Sequence, residues 1–300
     1  MTTTKRFSTL MQREWMQHRI GWMVVMAILP AIALAVMPFQ GAVNVGAKLP
    51  PASLLALMIV GGTTAAVFGL SWFVAMFQLP GLARRDQQDR TIEFWMSLPA
   101  SHSESVAATL LTHAVLVPMA ALAVGMGFGL IVGMASLVKL IGLTALTQVG
   151  WGSVILSAAV VVLRVAFGVI LLTLWTAPLF MILMAASAWL KRWGVPVVIG
   201  ALVIGGNILD KLYGIHIVGD LLKAQAQGAG QALFNASNTF EGNTLKSHPE
   251  VSDFLGNLGP WAVQDAGHAI QQLASPHLIG GLLVAATCFY LVILARKRST

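Results

Sequence analysis

Long apolar runs are the feature of this sequence that most constrains its fold. A bilayer core about 30 Å thick takes about 20 apolar residues to cross as a helix. Apolar residues make up 57% of the chain, and its mean hydropathy is +0.80. The longest apolar stretches are 23–39, 54–77, 105–138, 154–190, 195–209 and 278–295. We therefore predict an all-α integral membrane protein with six transmembrane helices.

The fourth apolar run, 154–190, is longer than a single crossing needs and contains Arg164 about a third of the way along. A charge at mid-bilayer is unfavourable, so we expect the fourth span to begin near Arg164. Arg164 would then lie at the outer boundary, either snorkelling to the interface or paired with an opposite charge. Contact with an anionic group of a substrate stays open as an alternative.

The distribution of basic residues predicts the orientation. With six spans and an internal N-terminus, 12 of the 18 Lys and Arg residues fall on the inner side. The positive-inside rule then places both termini in the cytoplasm and the chain in the inner (plasma) membrane. The sequence pI of about 10.0 follows from this asymmetry, together with anionic lipid, and gives no reason to expect nucleic acid. The inner basic residues are Lys5, Arg6, Arg13, Arg19, Arg84, Arg85, Arg90, Lys191, Arg192, Arg296, Lys297 and Arg298.

Residues 1–19 precede the first apolar run and have an amphipathic pattern. Phe7, Leu10, Met11 and Trp15 repeat at helical spacing, while basic residues occupy other directions. This pattern predicts a helix lying in the inner interface, with a basic tail as the alternative. The rest of the chain divides into spans one and two (20–77), a cytoplasmic loop (78–104), spans three to five (105–212), an outer segment (213–275), and span six with a basic tail (276–300).

The third span and the outer segment carry further signals. Gly125, Gly129 and Gly133 share one helix face, which favours close helix packing over a substrate path. Pro118 is expected to kink this span, and we interpret His113 as a hydrogen-bonded interior residue rather than a ligand. The outer segment is predicted to form two helices joined by a Gly/Asn-rich loop at 235–249.

The loop at 78–104 is unusually polar for a connector between two spans. Charged residues are only 10% of the chain, yet six of them lie within ten positions. The loop also has the pattern of a short helix with an apolar side, which indicates that a partner docks on it. Its candidate contact residues are Arg84, Arg85, Asp86, Asp89, Arg90, Thr91, Glu93, Phe94, Trp95, Ser97, Leu98 and Pro99.

Several kinds of chemistry find no signature in the sequence. It contains no phosphate-binding G-x-x-x-x-G-K-[ST] loop and no H-E-x-x-H, C-x-x-C or G-x-S-x-G motif. The seven histidines show no metal-ligand spacing, so no metal site is predicted. The apolar runs lack the carboxylates that ion-coupled carriers use. We therefore expect no enzymatic activity and no cofactor bound by this chain, and any energy for transport would come from another subunit.

The loop resembles the connection between spans two and three in permease subunits of the type-two ABC membrane family. The resemblance lies in an acidic–Arg pair, a following Thr, an aromatic residue, and a Ser-Leu-Pro-x-Ser sequence before the third span. Here Asp89-Arg90 directly precedes Thr91, which departs from the usual spacing and leaves Arg84-Arg85-Asp86 as another candidate for the charged group. The matching residues are Asp89, Arg90, Thr91, Phe94, Ser97, Leu98, Pro99 and Ser101.

The resemblance implies an exporter subunit that pairs with a second copy or a paralogue and with ATP-binding subunits carrying ATP and Mg²⁺. The loop would be the coupling helix, with Phe94 and Trp95 as buried anchors and charged residues around them. Ser101 or Ser103 would cap the third span, with Glu104 in its first turn. With no charged cavity visible in the spans, we expect a hydrophobic or amphipathic cargo such as a lipid, peptide or drug.

Two alternatives remain from the sequence. The loop can instead lie on the membrane surface, with its aromatic residues in lipid and its arginines at head groups. The whole chain can also be a scaffold or sensor without a transport role, binding a partner through residues 213–275. An intramembrane enzyme lacks a nucleophile–base or metal pair. Co-purification of an ATPase through the loop would separate transport from a scaffold.

Overall fold

The fold is described by a computed structural model over residues 3–40, 50–88, 101–234 and 251–298, with only the backbone described at 3, 84–88 and 251–255. Over these ranges the predicted all-helical fold is confirmed, and no strand is present. The helices are α1 Thr3–Val36, α2 Ala52–Gln88, α3 His102–Leu111, α4 Val117–Ile141, α5 Ala145–Gln148, α6 Trp151–Leu190, α7 Gly194–Gly200, α8 Gly206–Tyr213, α9 Ile217–Leu233, α10 Val251–Gln271 and α11 Pro276–Arg298. Short 3₁₀ or π turns follow α1, α3, α6, α7 and α10.

Five helical stretches among the described residues are long and apolar enough to cross a membrane, where the sequence predicted six spans. The difference comes from the fourth stretch, whose 63 residues contain both the fourth and the fifth predicted spans. A straight helix of this length would extend about 95 Å, far more than a bilayer. The five stretches are Thr4–Phe39, Ala52–Ala83, His102–Ile141, Trp151–Tyr213 and Pro276–Arg298.

The chain turns back within this fourth stretch, after α6. Lys191 has a φ of 53°, in the left-handed region that side chains disfavour, and a 3₁₀ turn follows at Lys191–Trp193. Gly194 then lies against the preceding helix: a Cβ on it would come within 2.4 Å of the Ala186 backbone. Eight helical residues would separate these two positions by about 12 Å. The start of α7 is therefore folded against the end of α6.

The N-terminal residues belong to one long helix rather than to a separate interfacial one. α1 runs from Thr3 to Val36 without a break at residues 19 and 20, where the sequence placed the boundary. Leu10, Glu14, Trp22 and Met26 are all buried, at spacings of four or eight residues along one face. Because this buried face continues across the expected boundary, the polar and the apolar parts of α1 pack as a single element.

Polar contacts identify the two ends of the bundle. At one end Arg6 of α1 lies 3.6 Å from the Glu104 carboxylate of α3, and Arg296 of α11 donates to the Ser105 hydroxyl at 3.3 Å. At the other end the Gly150 amide, just before α6, lies 3.4 Å from the hydroxyl of Ser53 in α2. Accordingly, α1 and α3 start at the first end, whereas α2 and α6 start at the second.

The long helix α6 is the centre of the packing. Its residues Val169, Leu172 and Trp175 form the largest buried apolar cluster, together with side chains of α2, α4, α9, α10 and α11. A second cluster joins the later part of α6 to α2, α3 and α11. Burial of each large apolar side chain contributes about 1.5–3 kcal/mol where the surroundings are water. In a bilayer this contribution is smaller, and close packing carries more of the stability.

The two helices predicted for the outer segment are present as α9 and α10; the loop predicted at 235–249 lies outside the described residues. Both helices pack on α6 instead of standing apart from the bundle. Gly228 of α9 sits so close to Trp175 that a Cβ would come within 2.4 Å of its ring, and Ala232 and Ala269 are also buried. These small residues allow α9 and α10 to approach α6 closely.

Candidate functional site

Most of the predicted coupling loop lies outside the described residues. This applies to Asp89, Arg90, Thr91, Glu93, Phe94, Trp95, Ser97, Leu98 and Pro99. Arg84, Arg85 and Asp86 continue α2, which extends to Gln88, with only their backbone described. The far side of the loop is described from Ser101 onwards.

The helix that follows the loop begins with a capping box, as predicted for Ser101. The Ser101 hydroxyl accepts from the Glu104 amide at 3.2 Å, and the Glu104 carboxylate accepts from the Ser101 amide at 2.9 Å. Two helix-terminal amides are satisfied in this way, which fixes the first turn of α3. Glu104 also faces Arg6, so α1 is held against the same turn.

The three glycines of the third span face α2. A Cβ on Gly129 would come within 2.8 Å of the Val60 carbonyl oxygen, and one on Gly125 within 3.0 Å of the Thr64 Cα. Gly133 has room for a Cβ, 3.5 Å from Val60. The two helix backbones therefore approach most closely at Gly125 and Gly129, where a side chain would separate them.

Arg164 is buried and paired. Its Nε and Nη2 atoms lie 2.8 and 2.7 Å from the Oδ2 atom of Asp265 in α10, and its Nη1 donates to the Ala232 carbonyl of α9 at 3.2 Å. One guanidinium thus connects α6 to both helices of the outer segment. Of the two states expected for Arg164, the paired one is present. Its partner Asp265 lies in a segment that the sequence placed outside the bundle.

An apolar cavity of about 510 Å³ lies beside this ion pair, and its exposed lining is almost wholly apolar. α2, α4 and α6 form its walls, and the end of α9 and the adjoining Phe234 close it together with Leu258 of α10. Arg164 itself does not line the cavity, but its neighbour Val165 does. Residues of the lining include Met58, Gly61, Thr64, Phe68, Val162 and Leu233.

The cavity is open at the perimeter of the bundle. Met58, on its rim, is 61% exposed, and a Cβ on Gly61 would meet nothing within 4 Å. Cavities of 300–1,000 Å³ are typical of sites for small organic ligands. Because the lining offers almost no hydrogen-bonding groups, this cavity suits a hydrocarbon chain or another apolar group that enters from the side.

The third span contains a local irregularity whose cause is Pro118. This residue has no amide hydrogen, so the Ala114 carbonyl four residues earlier loses its helical donor. The Thr173 hydroxyl of α6 lies 3.0 Å from this carbonyl and can donate to it, and the residues just before Pro118 form a π turn, Thr112–Leu116. Such turns often occur at functional sites. His113 lies in this turn and is buried, as predicted for a hydrogen-bonded interior residue.

The π turn brings His113 to two polar residues of α1, a juxtaposition that the sequence analysis missed. Glu14, His18 and His113 each place one potential ligand atom within 4.8 Å of the others. The relevant signal was the four-residue spacing of Glu14 and His18, which puts both on one face of a helix. Spacing among the histidines alone did not reveal it, and nothing in the sequence connected these residues to His113.

No known family profile, curated protein or solved structure matches this chain.

Proposed function

We propose that this chain is the membrane-spanning subunit of an ABC-type exporter that moves a hydrophobic or amphipathic molecule. ATP would be hydrolysed with Mg²⁺ on a separate subunit, and two copies of the chain, or one copy and a paralogue, would form the pathway. The observation that carries the proposal is the apolar cavity, which opens sideways between helices that are long and apolar enough to cross a membrane. The polar loop supplies the connection to the ATPase.

The directions of the helices support six crossings. α6 ends at the same end of the bundle where α11 ends, since Trp189 donates its indole hydrogen to the Leu291 carbonyl at 3.1 Å. The chain must therefore cross once more between them, and α7 and α8 together are long enough to do so. By the positive-inside rule, the basic residues of the inner segments would place both termini and the loop at 78–104 in the cytoplasm, with the chain in the inner membrane.

The cavity supports the class of cargo. An almost wholly apolar lining cannot compensate the desolvation of a charged or strongly polar molecule, whereas an acyl chain or apolar side group loses nothing there. The exposed rim at Met58 and Gly61 offers a lateral entrance from lipid. A lipid, a lipidated or apolar peptide, or an amphipathic drug fits this description.

The helix after the loop offers a route for the mechanical step. α3 begins at the Ser101 cap immediately after the loop, and it continues through the π turn into α4. The glycine face of α4 lies on α2, one wall of the cavity. A push on the loop by the ATP-binding subunits would therefore tilt helices that line the cavity.

The decisive experiment is co-purification with candidate ATP-binding subunits. We expect the wild-type chain to retain an ATPase and the Phe94→Ala plus Trp95→Ala variant to lose it while staying folded in the membrane. A matched control is Phe73→Ala plus Phe77→Ala, because these two aromatic residues of α2 are 56% and 69% exposed and lie outside the loop. The control variant is expected to retain the ATPase.

Failure of this experiment would favour the scaffold or sensor function. If no ATPase is retained, or if both double variants behave as wild type, the loop is not a coupling helix. The outer segment would then be the first place to look for a partner, since Leu221 of α9 and Val263 of α10 are 51% and 76% exposed.

The cargo class has its own test. Gly61→Phe would fill the cavity from its rim, where a Cβ has free space. We expect it to reduce binding of a fluorescent fatty-acyl probe at least tenfold. Gly69→Phe is the control, because Gly69 has equal space on the same helix and does not line the cavity. Equal probe binding by the wild type, Gly61→Phe and Gly69→Phe would show that the cavity does not bind the acyl chain.

A further inference from the structure

Three potential metal ligands meet where α1 contacts the third span. Glu14 and His18 lie one turn apart on α1, and His113 lies in the π turn after α3. Glu14 and His113 are fully buried, and His18 is half-buried. One atom from each side chain lies within 4.8 Å of the other two. A carboxylate and two imidazoles therefore converge between α1 and the third span.

Aromatic packing fixes the positions of the two imidazoles. The His18 and His113 rings are 5.4 Å apart in an edge-to-face arrangement, and the Trp22 ring lies 5.1 Å from that of His113. Trp22 is itself only 2% exposed, and it also contacts His18. Packed aromatic groups therefore line one side of the cluster, and they hold the two imidazoles in position before any ion binds.

The hydrogen bond of His113 determines which of its ring nitrogens can bind a metal ion. Its Nδ1 lies 3.0 Å from the Thr109 carbonyl oxygen. A carbonyl oxygen only accepts, so Nδ1 carries the hydrogen, and Nε2 of the neutral ring holds a lone pair. Metal-binding histidines commonly donate their other ring nitrogen to a carbonyl or carboxylate in this way, which sets both tautomer and orientation.

Glu14 is held by a neighbouring charge without losing its capacity as a ligand. The Nη2 atom of Arg13 lies 2.6 Å from its Oε1 atom. This contact involves Oε1, and the carboxylate has a second oxygen, Oε2, that can coordinate an ion. A carboxylate that accepts from a neighbour with one oxygen and binds a metal ion with the other is a common arrangement in metal sites.

We propose that Glu14, His18 and His113 bind a divalent first-row transition-metal ion, with Zn²⁺ as the reference member of this class. Two nitrogens and one carboxylate oxygen are the donor set of many zinc and iron(II) sites, and three protein ligands leave a further position for water or a ligand. Zinc takes such donors at about 2.0–2.2 Å. Small rotations of side chains that already lie within 4.8 Å of one another would reach that geometry. The ion would tie α1 to the third span, and this proposal does not depend on the transport function.

The test is the metal content of the full-length protein purified in detergent with an affinity tag free of histidine. After dialysis against Zn²⁺ and removal of loosely bound ion, we expect about one Zn²⁺ per chain by elemental analysis. Glu14→Gln and His18→Asn are expected to weaken binding at least tenfold. His277→Asn is the control, because His277 is exposed at the start of α11 and away from the cluster. Binding that is equal in wild type and Glu14→Gln, or that falls equally in His277→Asn, would overturn the proposal.

Two further measurements keep the test decisive if a variant does not fold. Co²⁺ bound by nitrogen and oxygen ligands has visible absorption that reports its coordination, and His113→Asn should change that spectrum. In the wild-type protein alone, added Zn²⁺ should raise the unfolding temperature and a chelator should lower it, because an ion that binds only the folded state stabilises it. An unfolding temperature indifferent to both additions would contradict the site.

Discussion

Arg164 and Asp265 form an ion pair whose side chains are only 1% and 0% exposed. Two guanidinium nitrogens share one carboxylate oxygen, at 2.7 and 2.8 Å. When one partner of such a pair is removed, the other is left as an uncompensated buried charge, at a cost of about 3–5 kcal/mol. We therefore expect Asp265→Asn to lower the free energy of unfolding by about this amount, with α9 and α10 released from α6.

The assay is unfolding of the detergent-solubilised protein by a denaturing detergent, followed by tryptophan fluorescence. The control is Arg6→Gln, which breaks the pair with Glu104. That pair has a separation of 3.6 Å and side chains 29% and 19% exposed. Exposed pairs of this kind contribute little to stability, because water and salt screen them. The loss of unfolding free energy should therefore be several-fold larger for Asp265→Asn than for Arg6→Gln, although each variant removes one ion pair.

A double variant separates the loss of the pair from the penalty of an unpaired charge. Arg164→Met plus Asp265→Leu removes both charges, and replacing a buried ion pair with apolar side chains is often neutral or stabilising. We expect it to recover most of the stability that Asp265→Asn loses. If Asp265→Asn costs no more than Arg6→Gln, or if the double variant is less stable than the single one, the argument from burial is refuted.

Two further substitutions test the helix contacts. Gly129→Ala would bring a Cβ within 2.8 Å of the Val60 carbonyl oxygen, so we expect a clear fall in unfolding temperature. Gly127→Ala is the control, because it has open space around it and should change the unfolding temperature little. Equal effects of the two substitutions would show that α2 and α4 are not this close. Thr173→Val removes a hydroxyl whose single hydrogen is shared between the Ala114 carbonyl, at 3.0 Å, and the Val169 carbonyl, at 2.8 Å. A buried acceptor left without a partner costs about 1–3 kcal/mol, so we expect a loss at the lower end of this range in the same unfolding curve. An unchanged curve for Thr173→Val would mean that another group satisfies Ala114.

The positions of the helices could be predicted from the sequence because apolar length and composition determine them directly. Every predicted apolar run lies in helical segments of the described residues, some of them joined by 3₁₀ or π turns. The break after Leu190 was predicted in the same way, because the apolar runs 154–190 and 195–209 are separated by Lys191 and Arg192, where the turn lies. One boundary was less accessible: the continuity of α1 depends on burial of Leu10 and Glu14 by other helices.

The candidate site was only partly predictable, since its residues meet through tertiary packing. The sequence singled out Arg164 and allowed for a partner, but Asp265 is 101 positions away and carried no signal of its own. The cavity is likewise assembled from several helices by apolar residues that look alike in the sequence. His113 was expected to be interior and hydrogen-bonded, yet its approach to Glu14 depends on the π turn and on the way α1 packs.

The buried polar contacts also indicate which parts of the bundle would move together in an exporter. The Arg164 guanidinium joins α6, α9 and α10 through ion-pair and carbonyl contacts, so these helices should behave as one rigid body. The third span, by contrast, meets α6 through the hydrogen bond of Thr173 at the π turn and through apolar side chains, which can shift against one another without breaking an ion pair. Its glycine face lies closely on α2. A tilt that starts at the polar loop would therefore be absorbed between the third span and α6. The cavity has walls on both sides of this boundary, so a tilt there would change its volume without breaking the buried ion pair.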